Sequence, residues 1–127
     1  MDVLLAVDTV HTAAAVCDYV QERGGELDAI TAVAVASPDS PDARMDAEEA
    51  LNVVRVRLAG FEGVETVVVE ADHPSSAILE CAERDDADEL VVGVRGGRPD
   101  ATEAVGSTTT AILAETVRPV AVVALEW

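Results

Sequence analysis

The residues with the clearest chemistry form one glycine-rich stretch, Gly93-Val94-Arg95-Gly96-Gly97-Arg98-Pro99-Asp100-Ala101-Thr102-Glu103-Ala104-Val105-Gly106-Ser107. The apolar run Leu90-Val91-Val92 enters it, and a helix expected from Ser107 to Thr116 leaves it. Strand, glycine loop and helix N-terminus together present free backbone N–H groups and the positive end of a helix dipole, an arrangement suited to a phosphate. Glycine lets a ligand come close to the backbone. The same composition also serves an ordinary turn between a strand and a helix. No Gly-Lys-Ser/Thr triplet or G-x-G-x-x-G spacing occurs, so neither of the two commonest phosphate loops is present. Asp8, directly after the first apolar run, offers a carboxylate that can accept hydrogen bonds from a ligand or cap a helix start.

Other reactive side chains form no constellation. His11 lies three residues beyond Asp8 and could approach a ligand there, but no nucleophile or base accompanies it or His73, and both fit solvated loops better. No nucleophile-elbow motif is present. Cys17 and Cys81 fall in separate expected helices, with no C-x-x-C and no Cys/His cluster, so they read as buried, reduced thiols rather than metal ligands. Asp85-Asp86-Ala87-Asp88-Glu89 matches no calcium loop and reads as a solvated helix end.

The elements that must position these residues alternate in type. Val3–Val7, Ala29–Ala36, Val64–Val69, Leu90–Val92 and Val120–Leu125 are apolar runs of strand length. The first reads as buried on both faces, as in a parallel sheet. Helices are expected over Ala13–Arg23, Ala43–Ala59, Ser76–Arg84 and Ser107–Thr116. In the first, residues 13, 16, 17 and 20 share a face; in the second, Ala47, Ala50, Leu51, Val54 and Leu58 do. Thr9 or Thr12 could cap the first helix and Ser75 the third, while the two prolines of Ser37–Asp42 mark a loop. Strict alternation implies an α/β fold with a parallel sheet and right-handed crossovers, in one domain spanning 1–127.

Half of the residues are hydrophobic and only 2% are aromatic, so the core must be built from small aliphatic side chains. No apolar run approaches the ~18 residues of a membrane span, and no signal peptide is visible, so a cytoplasmic protein is expected. Net charge is −17, and all eight basic residues are arginine. Such a surface repels nucleic acid and anionic membranes. The acidity and the missing lysine resemble the proteins of salt-adapted organisms, and a halophilic archaeal source is expected. Carboxylate repulsion should weaken the fold at low salt.

Gly93, two residues, Gly96, nine residues, then Gly106-Ser107 resembles the loop of the ATP-binding branch of the universal stress protein family, which carries G-x2-G-x9-G-(S/T). The flanks Ala87–Gly93 and Arg118-Pro119-Val120-Ala121-Val122-Val123 match as well, and the resemblance runs nearly the whole chain. It implies a Rossmann-like three-layer sandwich, a five-stranded parallel sheet of order 3-2-1-4-5 with four helices. In such a sheet a ligand lies at the carboxyl ends of the strands where the order reverses, here beside Asp8 and Gly93.

The resemblance further implies an adenine nucleotide, ATP foremost, bound with little or slow hydrolysis. Ala6 would line the base pocket, and Asp8 would accept hydrogen bonds from the nucleotide. Val35 would read the adenine edge, although a plain core valine fits equally. Gly93, Gly96 and Gly106 would wrap ribose and phosphates, and Ser107 and Thr108 would meet a phosphate at the helix start, a role compatible with simple N-capping. Arg95 and Arg98 could neutralise phosphate charge or remain solvated.

The resemblance also implies a homodimer through the apolar last strand, Val120–Leu125, with Trp127 near its interface. Three departures from the family pattern stand out: acidic Asp100 and Glu103 in the loop, Val10 in place of a serine, and Asp72 in place of a glycine. With a triphosphate bound, the loop carboxylates need a bridging divalent cation such as Mg²⁺, or an outward orientation, or they weaken binding. The alternative function is a dimeric interaction module of the same fold that binds no nucleotide.

Overall fold

The computed structural model describes residues 1–23, 25–97, 101 and 104–125. Its order is β1 (Asp2–Val7), α1 (Val10–Arg23), β2 (Ala29–Ala36), α2 (Pro41–Arg57), β3 (Val64–Glu70), α3 (Pro74–Arg84), β4 (Glu89–Gly93), α4 (Ser107–Glu115) and β5 (Val120–Val123). The five strands form one sheet in the order β3-β2-β1-β4-β5, and all four pairings are parallel. The order reverses between β1 and β4, whose register sets Ala6 opposite Val92.

β1 is buried on both faces, which explains its unbroken apolar sequence. Because successive strand residues point to opposite faces, Val3, Leu5 and Val7 join one core while Leu4 and Ala6 join the other. The first core lies under α1 and α2, through Ala13, Val16, Cys17 and Val20 and through Ala47, Ala50, Leu51 and Val54. The second lies under α3 and α4, through Ile78, Cys81, Ala82 and Ile112. The two cysteines are free and sit in different cores, on opposite faces of the sheet. Burial pushes the Cys17 thiol up to about 11 and raises Cys81 in the same direction.

Several boundaries differ from the sequence expectation; α1 begins at Val10 rather than Ala13. Helix α2 begins at Pro41 rather than Ala43, because Ser40 caps it by accepting from the Ala43 N–H at 3.2 Å. Proline at the first helical position lacks only an N–H that would have had no partner, so it starts this helix instead of breaking it. Helix α3 likewise begins at Pro74 behind His73, so Ser75 lies inside the helix and is not its cap. The acidic run 85–89 is not a helix end alone. Asp86 adopts a left-handed φ of 51°, the Asp88 carboxylate accepts the Asp2 N–H at 2.7 Å, and Glu89 opens β4 and pairs with Arg23. β5 ends at Val123, two residues before the expected end, and forms the edge of the sheet.

Candidate functional site

The crevice at the carboxyl ends of β1 and β4 gathers Asp8, Gly93, Gly96, Gly97 and Gly106. Asp8 directly follows β1 and is half-buried. Its carboxylate accepts the Gly97 N–H at 3.2 Å to Oδ1 and 3.0 Å to Oδ2. The Thr9 hydroxyl donates to the Gly97 carbonyl at 2.9 Å. One peptide of the glycine loop is thus clasped from both sides by the turn after β1. Only glycine fits there: a Cβ on residue 97 would stand 2.1 Å from Thr9 Oγ1, 2.9 Å from Thr12 Cγ2 and 3.0 Å from Asp8 Oδ1.

The loop is tied to α4 as tightly. The Gly106 N–H donates to the Val94 carbonyl at 2.8 Å, and the buried Thr109 hydroxyl donates to the Gly93 carbonyl at 2.7 Å. A Cβ on Gly106 would meet Arg95 Cα at 3.0 Å, and one on Gly96 would meet Asp8 Oδ2 at 3.3 Å. The missing side chains therefore let the glycine loop, the turn after β1 and the start of α4 pack at close quarters. Helix α4 starts at Ser107 behind Gly106, and no side chain caps it. The first N–H groups of any helix lack intrahelical acceptors, and in α4 no side chain supplies one.

Ala6 and Val35 lie on the α3–α4 side of the sheet, where Val35 is half-buried against the second core. They share one face, as a common base pocket requires. Ser107 is exposed and Thr108 half-buried at the start of α4. The Arg95 guanidinium reaches the Ala104 carbonyl at 3.5 Å, within its own loop. Arg98, Asp100, Glu103 and Trp127 lie outside the described residues.

His11 sits apart from the crevice. It lines an outer depression of about 400 Å³ with Val10, Ala14, Asn52, Val53, Val56 and Arg57, between α1 and α2. A neighbouring depression of about 480 Å³, lined by Val10, Met45, Glu48, Glu49, Asn52 and Val53, lies on the same outer face. Both are open depressions on the surface between α1 and α2.

Sequence reading missed four residues of the site: Thr9, Thr12, Gly97 and Thr109. Gly97 was visible only as one of a glycine doublet. Thr9 or Thr12 was expected to cap the first helix, and Thr9 directly precedes it while Thr12 does not. Thr12 lies in the first turn of α1, and its oxygen accepts the N–H groups of Asp8 at 3.0 Å and Thr9 at 3.1 Å, upstream of the helix. The first helical bond of α1 runs from the Ala13 N–H to the Thr9 carbonyl at 3.0 Å.

A doubly wound parallel sheet of order 3-2-1-4-5 with four helices defines a Rossmann-like three-layer α/β fold. The chain belongs to the universal stress protein family, whose model matches residues 1–124. Solved structures of the same architecture include universal stress protein UspA from Lactobacillus plantarum, with 23% identity, 97% of each chain covered and a TM-score of 0.74. A universal stress protein family protein from Arabidopsis thaliana with AMP bound has 16% identity over 99% of this chain and 92% of that one, with a TM-score of 0.68. A universal stress protein in complex with cAMP has 21% identity over 99% of this chain and 98% of that one, with a TM-score of 0.69. At these identities the likeness is one of fold. No curated protein matches the sequence. Among the described residues, no helix is long and apolar enough to cross a membrane.

Proposed function

We propose that the crevice binds an adenine nucleotide, with ATP as the first candidate, and that the protein works as a dimeric nucleotide-responsive regulator rather than a fast hydrolase. The observation that carries this reading is the convergence of Asp8, the close-packed backbone of Gly96 and Gly106, and the uncapped start of α4 on one crevice. Asp8 would accept ribose hydroxyls. The N–H groups of Ser107 and Thr108 would take a phosphate. Ala6 and Val35 would cover the base, and the loop arginines Arg95 and Arg98 would offset phosphate charge. The structures with AMP and cAMP belong to other proteins of this fold and support the choice of adenine. Mg²⁺ would accompany a triphosphate, whose charge an acidic chain does not otherwise offset. The apolar edge of β5 would supply the dimer contact.

The test is calorimetric titration with Mg-ATP and with AMP in molar KCl, on the wild type and on Gly106→Asp. Saturable binding by the wild type that is lost in the folded variant is the expected result. Equal binding by both would remove the site assignment.

One observation favours a second reading. The Asp8 carboxylate already accepts the Gly97 N–H, so a ligand must compete for it. A folded dimer that binds neither nucleotide would make this clasp the resting architecture of a protein-interaction module.

A further inference from the structure

Thr12 is 3% exposed and occupies the junction of β1, β4 and the glycine loop. Its oxygen accepts two backbone N–H groups, from Asp8 and Thr9. Its single proton has two acceptors in reach, Asp8 Oδ1 at 2.7 Å and the Thr9 carbonyl at 3.0 Å. The ionised, nearer acceptor is the stronger, so the proton goes to the carboxylate. The methyl group packs beside the glycine loop. It lies 3.3 Å from where a Cβ on Gly93 would be and 2.9 Å from one on Gly97. One side chain therefore holds the Asp8 carboxylate through its hydroxyl and packs its methyl group against both glycines.

We propose that Thr12 is the positioning residue of this crevice: its hydroxyl fixes the Asp8 carboxylate in a single orientation, and Asp8 is what the ligand and the Gly97 N–H compete for. When a ligand hydroxyl replaces Gly97 on the carboxylate, the bond from Thr12 persists. Asp8 then meets the ligand without first losing rotamer freedom, which is how a supporting hydrogen bond raises affinity. The inference rests on the nucleotide reading of the crevice for its ligand. Its effect on the Gly97 clasp can be read without any ligand.

The experiment compares Thr12→Val, which keeps the shape and removes the hydroxyl, with Thr12→Ser, which keeps the hydroxyl. Two quantities are measured on each folded protein: the affinity for Mg-ATP by calorimetry, and amide hydrogen exchange at Gly97 by NMR without nucleotide. The Val94 N–H, which donates to the Val123 carbonyl at 2.8 Å, is the internal reference. Thr12→Val should bind about tenfold more weakly and exchange Gly97 about tenfold faster, the worth of one charge-assisted hydrogen bond, with Val94 unchanged. Thr12→Ser should restore both to about the wild-type level.

Exchange that rises equally at Gly97 and Val94 would overturn the proposal, because Thr12 would then be merely structural. So would a serine variant no better than the valine one, or a valine variant like the wild type. If the wild type binds no nucleotide, the proposed ligand falls, while the Gly97 exchange still decides the role of Thr12.

Discussion

The Gly97 N–H lies 3.2 and 3.0 Å from the two carboxylate oxygens of Asp8, across 89 residues of sequence. This contact joins the turn after β1 to the loop after β4, the two sides of the switch point. It requires glycine, since a Cβ there would fall 2.1 Å from Thr9 Oγ1. Gly97→Ala should therefore cost about 1–3 kcal/mol in urea unfolding, from displaced polar partners rather than from any lost apolar contact. Thr9→Ala relieves the closest collision, so the double variant should cost less than the sum of the single ones. Strict additivity would mean that the clasp does not form in solution.

Ser40 alone supplies the side-chain cap of α2, through its bond to the Ala43 N–H at 3.2 Å. Ser40→Ala should cost about 1 kcal/mol, and thermal unfolding should move down by a few degrees. Ser40→Asp should retain the stability, because a carboxylate caps as well and also complements the helix dipole.

Cys17 gives the fold a pH dependence on the alkaline side. Its thiol is held at about 11 by burial, against 9.0 for the free group. The folded state thus keeps a proton that the unfolded state loses. Stability is fully present below about pH 9 and declines as pH rises through 11, by on the order of 2 kcal/mol. Urea midpoints measured from pH 8 to 11 should fall in the wild type and fall less in Cys17→Ala. A residual slope remains in that variant because Cys81 is raised in the same direction.

Charge sets the salt dependence. The chain carries 25 acidic residues and eight arginines. Among the described ion pairs, Arg23, Arg44, Arg57, Arg84 and Arg118 are each already matched to a carboxylate. Most remaining carboxylates can only repel one another. The screening length grows from about 3 Å in molar salt to about 10 Å at 0.1 M. The melting temperature should fall over that range. A constant melting temperature would mean that the acidic surface does not act on the fold.

The edge strand β5 leaves Val122 40% exposed beside half-buried Val120 and Val123. Val122→Arg should convert the proposed dimer into a folded monomer in sedimentation, since a charge on an apolar edge resists pairing. A wild type that is itself monomeric would remove the dimer from the proposed function.

The sequence by itself determined the alternation of strands and helices, the five apolar runs, the buried faces of α1 and α2 and the place of the glycine loop. These follow from local patterns: β1 is apolar throughout because both its faces are covered, and α1 repeats at helical spacing because one face is. The starts of α2 and α3 were harder to read, because Pro41 and Pro74 suit a first turn as well as a break. The strand order came from the family resemblance rather than from any periodicity.

Only the tertiary structure decided what Asp8 touches. The bonds from Gly97 to Asp8 and from Thr9 to Gly97 span 89 and 88 residues, and no local pattern encodes a partner at that distance. Thr12, like Thr9, read as a possible helix cap because its type and position suit one. It became the support of a carboxylate only when folding brought β1 against β4 and closed the glycine loop over both.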